Sequence, residues 1–129
     1  MSLRDVLLVA GGGAVGAVAR HALNLLCVGL LGDRFPWGTF AVNVLGCFLL
    51  GLLLHYATVT DNISDAAKLT LGTGMLGAFT TFSTFGVQTI QVWQRAPILG
   101  VANVAANLIV GLLAVVLGMQ LASQMTANQ

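Results

Sequence analysis

Gly72-Thr73-Gly74-Met75-Leu76-Gly77-Ala78-Phe79-Thr80-Thr81-Phe82-Ser83-Thr84-Phe85-Gly86 lies inside an apolar segment, where an uninterrupted membrane helix would otherwise be expected. Its residues work against such a helix. Glycine is about 1 kcal/mol less favourable than alanine in a helix interior. Threonine loses side-chain freedom against the preceding turn, and serine and threonine hydroxyls compete for backbone groups. Irregular backbone at membrane depth survives only where protein buries it or water lines it, and broken helices are a recurring device for holding ions near the midplane. Two readings stand on these residues alone. One is a helix break with a working role. The other is a tightly packed helix whose glycines let neighbours approach and whose hydroxyls bond back to carbonyls.

The rest of the 129-residue chain fixes the environment of this stretch. Hydrophobic residues make up 57% and charged residues 7%, against about 25% charged in soluble domains. Glutamate is absent. A soluble surface needs more charge than this, so the reading is an integral membrane protein, all-α, forming a single domain over 1–129. The formal net charge of +1 gives no footprint for nucleic acid. Cys27 and Cys47 both fall in apolar segments, as small buried hydrophobes rather than a disulfide or metal pair.

Upstream, a first span is expected over about Leu3–Leu31. Residues 1–19 have some features of a secretory signal, but the apolar core Val6–Ala10 is short and runs into Gly11-Gly12-Gly13, so a span is preferred. Gly12 and Gly16 have the spacing of a close helix contact. Arg20 sits well inside the segment, at an insertion cost of about 2.5–3.5 kcal/mol at a helix centre. It either snorkels to a helix end or faces a water-filled entrance that attracts anions, with His21 and Asn24 extending the polar patch. A loop, 32–38, places Phe35 and Trp37 at the interface, with Pro36 in the first turn of the next helix and Thr39 as a cap if that helix starts later. The second span, about Thr39–Tyr56, carries Asn43 among Val42, Val44, Leu45 and Phe48. A buried amide there must find a partner: it bonds across helices, or it offers its NH₂ to an ion path.

Downstream, Ser64 or Asp65 caps the third segment, about Ala66–Gln94, which exceeds the roughly 20 residues that a bilayer needs and so leaves room for a turn. Pro97 opens the fourth span, about Ile98–Leu121. There Asn103, Asn107 and Gly111 share one face, either bonding to neighbouring helices or lining a polar track.

The chemistry is as informative in what is missing. No nucleophile–base pair, metal cluster or phosphate loop is present, and the glycine-rich stretches lack a P-loop lysine, so the chain does not read as an enzyme. No carboxylate lies at membrane depth, Asp5 standing at the very start of the first span, which removes the usual means of proton coupling. The polar groups at membrane depth are mainly donors: Arg20, Asn43, Thr80, Thr81, Ser83, Thr84, Gln88, Asn103 and Asn107. A donor-rich, carboxylate-free path suits an anion. Phe82 and Phe85, three apart, share a helix face. They are either core packing or phenyl edges, which carry the positive end of the ring quadrupole, presented to a small anion.

With these residues in view, the chain resembles the Fluc (CrcB-like) family of prokaryotic fluoride channels. The likeness lies in Gly12-Gly13-Ala14-Val15-Gly16-Ala17 with Arg20, in Gly38-Thr39 with Val42-Asn43-Val44-Leu45-Gly46, and in Gly74 through Phe85, above all Thr80-Thr81-Phe82-Ser83-Thr84-Phe85. It extends over essentially the whole chain. It implies four transmembrane helices per chain, the third broken mid-membrane, in an antiparallel dual-topology homodimer in the inner (plasma) membrane of a prokaryote. It further implies two fluoride pores that passively export cytoplasmic fluoride, with Asn43, Thr81, Phe82, Ser83, Thr84, Phe85, Asn103 and Asn107 along each path and Arg20 near a pore entrance. A structural sodium ion on the dimer axis, held by the backbone carbonyls of Gly77 and Thr80, is also implied. Many relatives carry glutamate where this chain has Gln88, and a tyrosine and then a hydroxyl residue where Asn103 and Asn107 stand. The alternatives are a four-span dual-topology drug/proton antiporter, which would need a membrane carboxylate, and a non-transporting membrane assembly subunit.

Charge supports dual topology separately. Four spans put Arg4 and Lys68 on one side and Arg34 and Arg95 on the other. Orientation follows Lys and Arg bias, and here there is almost none.

Overall fold

In the computed structural model, residues 2–127 are described, and among them all regular structure is helical. Helix α1 (Leu3–Leu31) starts at a reciprocal cap: the Asp5 N–H donates to Ser2 Oγ at 3.2 Å, and the Ser2 N–H donates to Asp5 Oδ2 at 2.8 Å. It ends at Gly32, whose φ of +77° only glycine adopts without strain. Helix α2 (Trp37–Val59) follows Pro36, so the chain enters the helix earlier than a Thr39 cap would require. Thr39 lies inside the helix and is fully buried.

The third segment is irregular over more of its length than its sequence suggests. It starts at Ser64, whose Oγ accepts from the Ala67 N–H at 3.2 Å. After one α-turn the helix widens to π-type winding over Lys68–Leu76, and the Gly77 N–H still reaches back five residues to the Gly72 carbonyl. One further turn, Gly77–Phe79, completes what we call α3, residues 65–79. Thr80 (φ −77°, ψ 158°) and Thr81 (φ −152°, ψ 118°) are extended. Helix α4 (Phe82–Arg95) resumes after them, and α5 (Pro97–Ala127) follows with Pro97 at its first position.

Packing explains the early irregularity. Helix α1 lies along the widened part of α3, and α2 lies along α5. A Cβ at Gly12 would overlap the Thr70 carbonyl oxygen, and one at Gly16 the Met75 carbonyl oxygen. The glycine pair therefore seats the backbone of α3 directly on α1, the close contact expected from its spacing. At the far end of the bundle, Ser123 Oγ on α5 lies 2.8 Å from His55 Nε2 on α2.

Helices α1, α2 and α5 are each long and apolar enough to cross a membrane. Neither α3 nor α4 reaches that length. The 14 residues of α4 rise roughly 21 Å at ~1.5 Å each, short of a hydrocarbon core of about 30 Å. Large apolar side chains such as Leu30, Ile98 and Leu112 point outward, while the buried set is small and includes Val42, Leu53, Leu76 and Phe85. An apolar exterior around a thin core is the surface of a protein dissolved in lipid.

Candidate functional site

The site is built where α2 meets the break. Asn43 projects from α2 and takes over the hydrogen bonding that the interrupted helix gives up. Its Oδ1 accepts from the Thr81 N–H at 2.9 Å, and its Nδ2 donates to the Thr81 carbonyl at 3.3 Å. One side chain thus engages both backbone groups of an extended, nearly buried residue. In doing so it settles the alternatives for this stretch: the chain is broken here and the break is held. Gly46, one turn along α2, lets Thr80 close in, since a Cβ there would overlap Thr80 Cγ2.

The break also redirects donors. In a continuous helix the Thr81 N–H would serve the Gly77 carbonyl and the Thr84 N–H the Thr80 carbonyl. Instead the first goes to Asn43, and the second donates to Thr81 Oγ1 at 3.2 Å, capping α4. Among the described residues, no hydrogen-bond donor reaches the carbonyls of Gly77 and Thr80.

From Asn43 the polar contacts continue onto α5 and α4. Asn43 Nδ2 donates to Asn107 Oδ1 at 3.0 Å, and Asn107 Nδ2 donates to the Asn103 carbonyl and to Asn103 Oδ1, each at 3.0 Å. Asn103 Nδ2 donates to Thr89 Oγ1 at 2.8 Å, and the Thr89 hydroxyl donates to the Phe85 carbonyl at 2.7 Å. Of the two alternatives for the asparagine stripe of α5, the structure shows the first: its members bond to α2 and α4, in a line that has the pocket at one end.

That pocket, about 260 Å³, is lined by Asn43, Thr81, Phe82, Phe85 and Asn107, with Cys47 and Leu108 completing its apolar wall. The rings of Phe82 and Phe85 have centroids 5.6 Å apart at an interplanar angle of 47°. Phe85 is buried, whereas Phe82 is 81% exposed in the single chain. Ser83 and Thr84 stand in the first turn of α4 and are exposed; the Thr81 hydroxyl donates to Thr84 Oγ1 at 3.0 Å. Asn103 is completely buried and does not reach the pocket wall.

A second cavity, about 130 Å³, opens between α1, α2 and α4. Asn24, Asp33, Thr39, Gln88, Gln91 and Arg95 bring polar groups to it, and the buried oxygens Thr39 Oγ1 and Gln88 Oε1 have no hydrogen-bond partner among the described residues. Arg20 is half-buried on α1 and its carbonyl accepts from Asn24 Nδ2 at 3.0 Å; the cation at this cavity is Arg95. Sequence reasoning gave Thr89 no part in the line of asparagines. Its only signal was a hydroxyl four residues beyond Phe85, which in an apolar helix bonds back to the carbonyl one turn earlier.

Comparison with known proteins covers nearly the whole chain. The profile of the family described as "CrcB-like protein, Camphor Resistance (CrcB)" matches residues 7–119. A protein of Dehalococcoides mccartyi strain CBDB1, named "Fluoride-specific ion channel FluC", is 47% identical over 125 residues, 96% of each chain. Proteins of the same name from Sorangium cellulosum and Agrobacterium fabrum are 44% and 41% identical over 118 residues, 91% of this chain in both cases. On a profile match that takes in all five helices and on relatives that align from end to end, the chain belongs to the CrcB-like family of membrane proteins.

Proposed function

We propose that this protein is a fluoride-selective channel that lets fluoride leave the cytoplasm passively through two antiparallel pores of a homodimer. The observation that carries the reading is the pocket at the break, in a chain that aligns along its whole length with proteins named as fluoride-specific channels. There Asn43, Thr81 and the Phe82–Phe85 pair meet without a carboxylate. A small, strongly hydrated anion must exchange water for donors. An amide N–H supplies them without charge, and phenyl edges add weak positive potential. Neither holds the ion so tightly that it stays. Ser83 and Thr84 belong to the same path, Asn107 and Asn103 back Asn43 from α5, and Arg20 with its neighbours attracts anions toward one mouth.

The single domain, 1–129, crosses the inner membrane of a bacterium four times, with α3 and α4 together making the third crossing. Lys and Arg balance across the two sides favours insertion in both orientations. The exposure of Phe82 and of the backbone at Gly77 supports a second copy packed over the break. Carbonyls facing lipid without donors cost several kcal/mol each. The carbonyls of Gly77 and Thr80, left without N–H partners by the geometry above, are hard oxygen donors suited to a small hard cation. Contributed by both copies on a two-fold axis, they would hold a structural sodium ion that locks the pair. The physiological logic is weak-acid trapping: neutral HF enters from acidic surroundings and ionises inside, and the channel releases the anion.

Purified protein reconstituted in liposomes tests the reading. Fluoride efflux followed with a fluoride electrode should be fast, and chloride efflux should be near the protein-free background. Equal rates for the two halides would refute it.

A further inference from the structure

The polar line through the bundle has a single permitted direction. At one end stands the Thr81 N–H, which can only donate; at the other stands the Phe85 carbonyl, which can only accept. Thr81 fixes Asn43 Oδ1 toward the break and so turns Asn43 Nδ2 toward α5. Asn107 must then accept through Oδ1 and donate through Nδ2, and Asn103 must accept from Asn107 and donate to Thr89. Thr89 hands its hydroxyl proton on to Phe85. Reversing any one amide would set nitrogen against nitrogen or oxygen against oxygen along the line.

We propose that Thr89, Asn103 and Asn107 form a positioning ladder that holds the Asn43 amide so that the N–H now donating to the Thr81 carbonyl is the one it can turn over to an ion in the pocket, rather than a set of ligands for the passing ion. This inference rests on the fluoride-channel reading. Three observations support it. The amide donors of Asn107 are both directed at Asn103, so none is left for an anion. Asn103 is completely buried and absent from the pocket wall, and Thr89 does not line the pocket either. Within the ladder the contact from Asn43 Nδ2 to the Thr81 carbonyl is the longest at 3.3 Å, against 2.7–3.0 Å for the others. It is the hydrogen bond most readily given up to an ion in the pocket.

A ladder anchored at both ends depends on its far anchor. Thr89→Val keeps the shape of the side chain and removes that anchor. Asn103 is then left with an unsatisfied NH₂ and is no longer held beneath Asn107, whose own NH₂ depends on it. Thr89→Ser keeps the hydroxyl. In reconstituted protein, fluoride efflux per dimer should fall about tenfold in Thr89→Val, and Thr89→Ser should restore most of it. Asn103→Leu, which cuts the ladder one rung nearer, should fall at least as far, so either variant that purifies decides. A loss that Thr89→Ser does not restore would mean simple helix packing and overturn the proposal. Wild-type flux in Thr89→Val or Asn103→Leu, measured where Asn43→Leu has lost flux, would also overturn it and leave the channel reading intact. Absence of fluoride flux in the wild-type protein would instead overturn the channel reading.

Discussion

Asn43→Leu removes the residue on which the break depends. Leucine is close to asparagine in size but offers no polar atom, so the Thr81 N–H loses its acceptor and Asn107 Oδ1 loses its donor. Thr81 is 7% exposed, so water does not replace the bond. A buried polar group left unmatched costs roughly 1–3 kcal/mol. Two such groups give about 2–6 kcal/mol, from which burial of the leucine on the apolar side of the pocket returns roughly 1–2 kcal/mol. The chain has one local escape: the Thr81 N–H can turn back to the free Gly77 carbonyl and carry the helix through the break. That change would use up the Gly77 carbonyl proposed as a sodium ligand and turn the chain at Phe82, disturbing its pairing with Phe85. The variant should therefore unfold at lower denaturant concentration in detergent, by about 2–3 kcal/mol at the centre of that range, and lose fluoride flux even in the fraction that stays folded. Denaturant titration by tryptophan fluorescence and electrode-monitored efflux give the two readings. Wild-type stability together with wild-type flux would show that Asn43 does not hold the break and would refute the reasoning.

Other consequences follow from the same contacts. Phe82→Ile and Phe85→Ile each replace a polarised ring edge by an apolar group of moderate size. Each should lower fluoride throughput while the protein still purifies as a dimer, and unchanged flux in both would return the rings to plain packing. Gly16→Leu drives a side chain into the Met75 carbonyl, where backbone rather than a flexible side chain must yield. It should destabilise by about 3 kcal/mol or more, seen as loss of folded protein on size-exclusion chromatography. Because backbone oxygens are the proposed sodium ligands, Thr80→Val should weaken sodium-dependent flux less than Gly77→Pro, compared by efflux with sodium and with a bulky organic cation; the reverse order would contradict carbonyl ligation. Single cysteines at Asn62, in a background lacking Cys27 and Cys47, should be labelled from both sides of the membrane in comparable fractions, and labelling from one side alone would rule out the inverted pair.

Much of this arrangement was legible in the residues, for identifiable reasons. Glycine and hydroxyl crowding in an apolar segment favours a break because propensity and membrane burial pull the same way there, and the break falls at Thr80–Thr81, inside the stretch 72–86. Gly12 and Gly16 revealed a close contact because small-residue spacing has few other uses in a membrane helix. The π-type winding over Lys68–Leu76 was not legible: it arises where the carbonyls of Thr70 and Met75 settle onto α1, a tertiary effect with no local signature. The roles of Asn103 and Asn107 could be narrowed only to two, since four-residue spacing shows a shared face but not which way an amide points. Thr89 was missed for the same reason. Its importance comes from an asparagine 14 residues away.

A passive, electrogenic fluoride path has a signature in the charge balance of ion-loaded liposomes. Liposomes loaded with potassium fluoride and chloride, carrying the purified protein, are diluted into solution of low halide content and followed with electrodes for both ions. An uncoupled anion channel predicts that fluoride leaves rapidly only after a potassium ionophore relieves the charge imbalance, that chloride stays inside, and that an imposed proton gradient does not substitute for the ionophore. Fluoride efflux without the ionophore, driven by a proton gradient, or chloride leaving alongside it, would contradict the account.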